Sequence, residues 1–193
     1  RRVYAGWTRP KRFERNLVVI GAGAAGLVTS YIAAAVKAKV TLVEAGRMGG
    51  DCLNTGCVPS KALIRSARLA HEMRHAGRFG LEAVEPRVEF RRVIARVQEV
   101  VRAIAPHDSA ERYTALGVEV LAGHARIVDP WTVQVRFDDG RTRDITTRAI
   151  VIAAGAEPRV PPLPGLDETG YVTSDTLWEA LAGRDEPPAR VAV

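Results

Sequence analysis

Cysteine is scarce in this sequence, and long apolar runs are absent. Only Cys52 and Cys57 occur among 193 residues, which excludes the dense disulfide framework of small secreted domains. No stretch reaches the ~18 uncharged apolar residues that a membrane-spanning helix needs. The sequence also contains neither the phosphate-binding P-loop motif nor the G-x-S-x-G turn of many hydrolases. A lone close pair of thiols therefore requires its own chemical explanation.

Basic residues exceed acidic ones, which raises the question of an anionic partner. Lys and Arg number 28 against 22 Asp and Glu, so the net charge is +6. The arginines are scattered, with a local concentration over Arg1–Arg15, and no nucleic-acid-binding motif accompanies them. We therefore expect no nucleic-acid partner. Residues 1–16, which contain Pro10 and show no periodic pattern, are predicted to be a basic linker.

A βαβ unit is predicted directly after this linker. Leu17–Ile20 is a short apolar run typical of a buried parallel strand, and Gly21–Gly26 forms a glycine-rich turn. Leu27–Ala38 contains no helix breaker and predicts a well-packed helix. Val40–Val43 predicts a second buried strand that ends at Glu44. The segment has the length of about 30 residues that such a unit usually needs.

The glycine-rich turn carries the spacing G-x-G-x-x-G. Gly21 permits the tight turn, Gly23 lets a pyrophosphate approach the backbone, and Gly26 allows close packing of helix on strand. Glu44 follows at the end of the second strand, where a carboxylate accepts hydrogen bonds from ribose hydroxyls and repels a 2′-phosphate. The pattern predicts a dinucleotide site at the helix N-terminus. The alternative is a turn used for packing alone.

The cysteine pair follows in the segment CLNTGC. In a regular helix this five-residue spacing would hold the two Cα atoms too far apart for a disulfide. We therefore expect residues 54–56 to depart from a helix, with Cys57 near the start of the next one. The positive end of that helix would stabilise a Cys57 thiolate. Two buried, unreactive thiols are the alternative.

The remaining segments alternate between helices and strands. Helices are predicted at Ser60–His75, at Val88–Ile104, from an Asp108 cap with Glu111 to Gly117, and from a Thr173 or Ser174 cap to Gly183. Strands are predicted at Val118–Ala122, His124–Val128, Val133–Phe137, Arg143–Thr147 and Ala149–Ala153, with a strand-like run at Arg190–Val193. This order predicts an α/β fold. It is a Rossmann-like, doubly wound nucleotide-binding domain with a small antiparallel β-meander inserted before the last strand.

One motif points to a different chemistry. The residues from His71 to His75 fit H-E-x-x-H, in which two histidines share one face of a helix and Glu72 is the general base of a zinc protease. No third ligand is obvious nearby, and the surroundings are basic. We therefore expect a solvated helix end and no metal site.

The segment GGDCLNTGCVPSK resembles the active-site signature of the class I pyridine-nucleotide-disulfide oxidoreductases, which include lipoamide dehydrogenase, glutathione reductase and mercuric reductase. A second segment, AIVIAAGAEPRVPPLPGLD, is similar to the family's A-T-G signature with its proline-rich exit. The resemblance covers Asn16–Val193 and is nearest to the mercuric-reductase-like branch. It implies an FAD-binding domain, placed here at residues 17–187, and the start of an NAD(P)-binding domain at residues 188–193.

The resemblance also implies roles for individual residues. Cys52 would exchange with substrate, and Cys57 would lie against the flavin as the charge-transfer thiolate. Lys61 would lie near the flavin and pair with a glutamate of the nicotinamide domain, while Gly123 and His124 would contact adenine through their backbone. The other expected cofactor-binding residues are Ala24, Gly50, Asp51, Ala153, Ala154 and Gly155. Ala154 and Asp51 stand where the family commonly has Thr, so two hydroxyl donors near the cofactor are absent.

The function implied is transfer of electrons from NAD(P)H through FAD to a disulfide, and from the dithiol to a small-molecule disulfide or a metal ion. The family's enzymes are homodimers. The isolated chain is expected to be inactive and to bind FAD weakly or not at all, because the nicotinamide domain, the dimerisation domain and a later flavin contact are not part of it. A cytoplasmic location is expected, and because some mercuric-reductase-like proteins carry an upstream membrane segment, membrane association stays open. An NAD-dependent Rossmann dehydrogenase and a non-enzymatic thiol metal-binding module are the alternatives.

Overall fold

A computed structural model describes Tyr4 and residues 6–193. The chain forms two compact units, one comprising residues up to Gly50 with Ala105–Ala156, and the other Asp51–Ile104 with Glu157–Val193. The strands are β1 (Arg15–Ile20), β2 (Val40–Glu44), β3 (Val118–Ala122), β4 (His124–Asp129), β5 (Thr132–Arg136) and β6 (Thr142–Ile152). The helices are α1 (Ala24–Ala35), α2 (Gly50–Asn54), α3 (Cys57–Arg74), α4 (Phe90–Ile104), α5 (Ala110–Ala115) and α6 (Leu177–Ala182).

The first unit is built on a six-stranded mixed sheet. Its strand order is β3-β2-β1-β6-β5-β4. The first four strands of that order run parallel, with Leu17 opposite both Val40 and Ala149, and Val40 opposite Val118. Strands β4 and β5 continue the sheet in antiparallel pairing. The predicted α/β fold class is thereby confirmed.

Both faces of the parallel strands are buried, which explains their near-continuous apolar runs. On one face, Val19 and Leu42 pack with Leu27 of α1 and Tyr113 of α5. On the other face, Val18 and Val43 form a separate cluster with residues of the meander, namely Val133, Val135 and Ile145. Each of these fully buried aliphatic side chains contributes about 1.5–3 kcal/mol relative to exposure. The meander, formed by β4, β5 and the first half of β6, therefore covers this second face of the parallel strands.

One element differs from the prediction in a way that matters for the topology. The strands expected at Arg143–Thr147 and Ala149–Ala153 form a single strand, β6. Its first half pairs antiparallel with β5, and its second half pairs parallel with β1. Thr147 marks the change of partner, because its N–H donates to Trp131 O and its hydroxyl donates to Ala149 O. No breaker interrupts the chain there, so the strand continues.

Several helix ends also differ from the prediction. Helix α1 covers Ala24–Ala35 and not Leu27–Ala38, because Lys37 adopts a left-handed conformation with φ 65°. Ser109, not Asp108, caps α5, since the Ser109 hydroxyl accepts the N–H of Arg112.

The last two segments differ as well. Thr176, not Thr173 or Ser174, is the N-cap of α6. Residues 190–193 form no strand, and no described strand pairs with them.

The second unit is a small helical cluster. Ala62 of α3, Val97 of α4 and Trp178 of α6 pack together, and Phe90, Ile94 and Leu181 form an adjoining apolar group. The helical pattern predicted for the β-branched segment before Ile104 is confirmed by α4. Among the described residues, no helix combines the length and the apolar character needed to cross a membrane.

Candidate functional site

The glycine-rich turn connects β1 to α1 in the first unit, and two of its glycines are required by close backbone packing. Gly21 has φ 101°, and a Cβ at this position would overlap the carbonyl of Ala153. A Cβ at Gly26 would overlap the carbonyl of Gly21. Both positions are therefore restricted to glycine by the fold itself, whatever the site binds.

Gly23 has a different environment. It precedes α1 in an extended conformation, and the nearest atom to a Cβ built there is the Cα of Gly50, at 3.9 Å. A Cβ at Gly23 would therefore make only an ordinary van der Waals contact, so the fold itself does not demand glycine at this position. No side chain of the described residues caps the N-terminus of α1, and its first turn holds no acidic residue. The first N–H groups of α1, beginning at Ala24, consequently point toward a place where an anion is favoured.

Glu44 ends β2, and its carboxylate braces the glycine-rich turn. One carboxylate oxygen accepts the N–H of Ala22 at 2.5 Å, and the other accepts the N–H of Gly46 at 2.7 Å. The sequence predicted only a ribose contact for Glu44, and the bracing role was not foreseen. A carboxylate has about four acceptor positions, so hydroxyls can still be bound alongside these two N–H groups.

The other predicted residues of the first unit lie at the same edge of the sheet. Gly123 donates its N–H to Glu44 O at 2.8 Å, and a Cβ there would lie 2.7 Å from Arg136 O. His124 is exposed at the start of β4. Ala153 donates its N–H to Ile20 O at 2.8 Å, and Ala154 and Gly155 are exposed just beyond it. The carboxyl ends of the four parallel strands therefore bring these residues together.

The cysteines lie in the second unit, on either side of a break between two helices. Cys52 is half-buried within α2, and Cys57 is exposed as the first residue of α3. The carbonyl of Asp51 accepts the N–H groups of Thr55 at 2.9 Å and Gly56 at 2.6 Å. The chain thus departs from helical geometry at Thr55 and Gly56. The spacing of the cysteines predicted a departure over residues 54–56, but Asn54 still belongs to α2. The structure holds the two as separate cysteines, not as a disulfide.

A tryptophan that the sequence did not single out fixes this break. The indole N–H of Trp178 in α6 donates to the carbonyl of Thr55 at 2.6 Å. The ring itself is buried against Ala62 and Val97. The two partners are 123 residues apart in the sequence, so no local pattern could have indicated the contact.

Two further predicted residues belong to the second unit. Asp51 and Lys61 are both exposed, the first in α2 and the second in the second turn of α3. Asp51 follows Gly50 directly in the sequence, so the dithiol segment begins immediately after this predicted cofactor-binding glycine.

The H-E-x-x-H segment is an exposed helix end. The rings of His71 and His75 stack with centroids 4.1 Å apart, and His75 Nδ1 lies 2.8 Å from His71 O. Arg68 donates to Glu72 at 2.8 Å, and this hydrogen bond holds the pKa of Glu72 below its ordinary value. Among the described residues, no group of three His, Cys, Asp or Glu side chains is arranged to hold a metal ion.

A half-buried charge cluster at the opposite end of the sheet was also not predicted. Glu119 of β3 accepts from Arg15 at 2.8 Å, from Arg143 at 2.8 Å and from the hydroxyl of Thr41 at 2.7 Å. Partial burial raises the pKa of Glu119, but the three hydrogen bonds outweigh it and bring this pKa down to about 2. The cluster ties together β1, β2, β3 and β6.

The fold and the glycine-rich turn define a dinucleotide-binding α/β domain, and the cysteine segment adds a dithiol to it. The residues present fit FAD, because no described side chain caps the N-terminus of α1 and Glu44 retains acceptor positions. Comparison with known families agrees with this class. The chain belongs to the pyridine nucleotide-disulphide oxidoreductase family, whose model matches residues 15–193.

Two curated relatives and one solved structure show which members of the family this chain resembles. The chain is 38% identical over 170 residues to mercuric reductase of Streptomyces lividans, covering 85% of this chain and 35% of that protein. It is 34% identical over 191 residues to dihydrolipoyl dehydrogenase of Bacillus subtilis, covering 93% and 39%. A mutant of the HOCl-induced flavoprotein disulfide reductase RclA from Escherichia coli, solved as a Cu(II) complex, superposes with a TM-score of 0.69 at 26% identity, covering 86% of this chain and 34% of that one. The chain thus spans about a third of the length of these proteins.

Proposed function

We propose that this chain binds FAD through its glycine-rich turn and carries, in Cys52 and Cys57, the redox-active disulfide of an NAD(P)H-dependent flavoprotein disulfide oxidoreductase. In this proposal residues 17–187 are the FAD-binding and dithiol domain, and residues 188–193 begin the NAD(P)-binding domain. The whole enzyme would act as a homodimer on a small-molecule disulfide or a metal ion. These substrate classes are suggested by relatives named mercuric reductase and dihydrolipoyl dehydrogenase.

One observation carries the proposal: Cys57 opens α3 as an exposed residue, directly after a break that separates it from Cys52 in α2. A thiol at the first position of an 18-residue helix lies where the positive helix end stabilises a thiolate. The break removes the rigid spacing that would keep the two sulfurs apart in one continuous helix. A structural pair of thiols needs neither feature.

The roles of the protein groups follow from this arrangement. The first turn of α1 would hold the pyrophosphate, and Glu44 would bind ribose hydroxyls while keeping the glycine-rich turn in place. Bound FAD would supply the two-electron chemistry that links a nicotinamide cofactor to the thiols. Two electrons and one proton convert the Cys52–Cys57 disulfide into a Cys52 thiol and a Cys57 thiolate. Cys52 would then exchange with the substrate while Cys57 stays as the thiolate.

The visible absorption spectrum of the purified chain with added FAD tests this proposal. Because this chain alone is expected to bind FAD weakly, the spectrum is recorded at saturating FAD. We expect a long-wavelength shoulder on the flavin band after one equivalent of dithiothreitol, caused by a thiolate in contact with the flavin. Cys57→Ser should abolish the shoulder, and Cys52→Ser should retain it as the matched control. A flavin band at saturating FAD that is identical with and without the chain would refute FAD binding by this chain alone. If flavin binds but the long-wavelength shoulder is the same in both variants as in the unmodified chain, the dithiol assignment is refuted.

A further inference from the structure

An open hollow lies in the first unit, where the chain enters the sheet. It encloses about 600 Å³, and its lining consists of residues 9–16, Lys39 and Arg148. Lys39 immediately precedes β2, and Arg148 lies where the parallel part of β6 begins. The wall is held by the backbone, because Asn16 donates its N–H to Lys39 O at 2.9 Å and its side-chain oxygen accepts the N–H of Lys39 at 2.8 Å.

The lining of this hollow is strongly positive. Its one carboxylate, Glu14, is already ion-paired with Arg143 and lies 3.7 Å from Arg15, which also binds Glu119 at 2.8 Å. Within the described part of the chain, the other cations of the lining make no ion pair: Arg9, Lys11, Arg12, Lys39 and Arg148. Five uncompensated cations around one hollow create a field that favours an anion carrying more than one negative charge.

The hollow is separate from the proposed cofactor site. The glycine-rich turn follows the carboxyl end of β1 at Ile20, whereas the hollow surrounds its amino end at Arg15. Six residues of strand, at about 3.3 Å per residue, hold the two ends roughly 17 Å apart. An anion in the hollow would therefore not be a part of the dinucleotide bound at α1.

We infer that this hollow is a binding site for a phosphate-bearing anion. One guanidinium group can donate two parallel N–H groups to two oxygens of a phosphate, and the lysine ammonium groups add further positive charge. The lining therefore matches a multiply charged phosphate better than a single carboxylate. The volume accommodates a group larger than one phosphate. Such a phosphate comes either from a soluble metabolite or from the headgroup of an anionic lipid.

The test measures binding of two probes to the full chain at low and at physiological salt. Inorganic pyrophosphate, followed by calorimetry, represents the soluble source. Vesicles of phosphatidylglycerol in phosphatidylcholine, followed by co-sedimentation, represent the headgroup. The site variant is Lys39→Glu with Arg148→Glu. Its matched control is Arg126→Glu with Arg136→Glu, which changes the net charge equally at exposed positions of β4 and β5 outside the hollow.

We expect the site variant to weaken binding by about tenfold or more, and the control by about twofold at most. If pyrophosphate shows this difference, the ligand is a soluble phosphate, and if only the vesicles show it, the ligand is a lipid headgroup. Equal losses in both variants would indicate unspecific attraction and overturn the inference. Pyrophosphate binding that survives in the site variant would place the anion elsewhere, and absence of binding to either probe would also overturn the inference.

Discussion

Trp178 and Thr55 are joined by a hydrogen bond of 2.6 Å between the indole N–H and a main-chain carbonyl. Thr55 belongs to the break between the helices that carry Cys52 and Cys57, and Trp178 is buried in a separate helix near the end of the chain. The carbonyl of Thr55 follows the last residue of α2, where main-chain carbonyls have no partner within the helix. The geometry of the cysteine segment thus depends on a residue far from it in the sequence.

Replacing Trp178 with Phe should therefore lower stability and alter the cysteine segment. The carbonyl of Thr55 loses its donor, and part of the buried ring volume is removed, so we expect a loss of about 1–3 kcal/mol in the free energy of unfolding. Urea unfolding measures the loss, and the reaction rate of Cys57 with a thiol reagent reports on the segment. Trp7→Phe, at a residue that is 52% exposed, is the control. Equal behaviour of the two variants would contradict the anchoring role of Trp178.

The three glycines of the turn should respond differently to substitution. Gly26→Ala places a Cβ on the carbonyl of Gly21, so we expect a loss of about 2–4 kcal/mol in stability. A Cβ at Gly23 meets only the Cα of Gly50, at 3.9 Å, so Gly23→Val should lower stability by less than Gly26→Ala does. FAD binding should nevertheless fall by about tenfold or more, because the pyrophosphate loses its approach. Thermal unfolding and FAD titration of both variants separate folding from binding, and intact FAD affinity in Gly23→Val would argue against this site.

The sequence was most informative where burial and backbone packing determine the residue type. The strands β1, β2 and β3 were found because residues buried on both faces leave apolar runs. The glycine spacing was found because a Cβ at Gly21 or Gly26 is excluded by the fold. Cys57 was predicted near a helix start, since two thiols five residues apart cannot meet within a continuous helix. The helix begins at Cys57 itself and not at the predicted Ser60.

Other features depend on partners that are distant in the sequence or on a choice between equivalent side chains. The continuity of β6 depends on where β1 and β5 compete for it, and only the assembled sheet decides that. Ser109 and Asp108 are equally good caps by composition, and the structure uses the former. The hydrogen bond from Ala22 to Glu44 requires the turn and the strand end to meet, so the sequence indicated the carboxylate but not this contact.

The Glu119 cluster predicts a specific pH dependence. The pKa of Glu119 in the folded chain is about 2, below the value of about 4.3 expected in the unfolded chain. The ionised, hydrogen-bonded carboxylate therefore contributes its full stabilisation above about pH 4.3. The effect is lost as the pH falls toward 2. Glu119→Gln should therefore be less stable than the unmodified chain by about 1–2 kcal/mol at pH 7, after allowance for partial exposure. Urea unfolding between pH 7 and pH 2 should show this gap narrowing below about pH 4.5. Glu82→Gln, at an exposed position, is the control, and a gap that stays constant down to pH 2 would contradict the assignment.

The two cysteines should differ in reactivity, and FAD should change the order. In the reduced chain without FAD, exposed Cys57 at the start of α3 should be alkylated by iodoacetamide about threefold faster or more than half-buried Cys52. If Cys57 is the thiol that lies against the flavin, saturating FAD should slow its alkylation and leave Cys52 reactive. Mass spectrometry of timed samples resolves the two sites. The Gly23→Val variant, which is expected to bind FAD poorly, should show no such protection. Equal protection of both cysteines, or protection that persists in Gly23→Val, would show that the effect of FAD does not arise from flavin bound at the glycine-rich turn and covering Cys57.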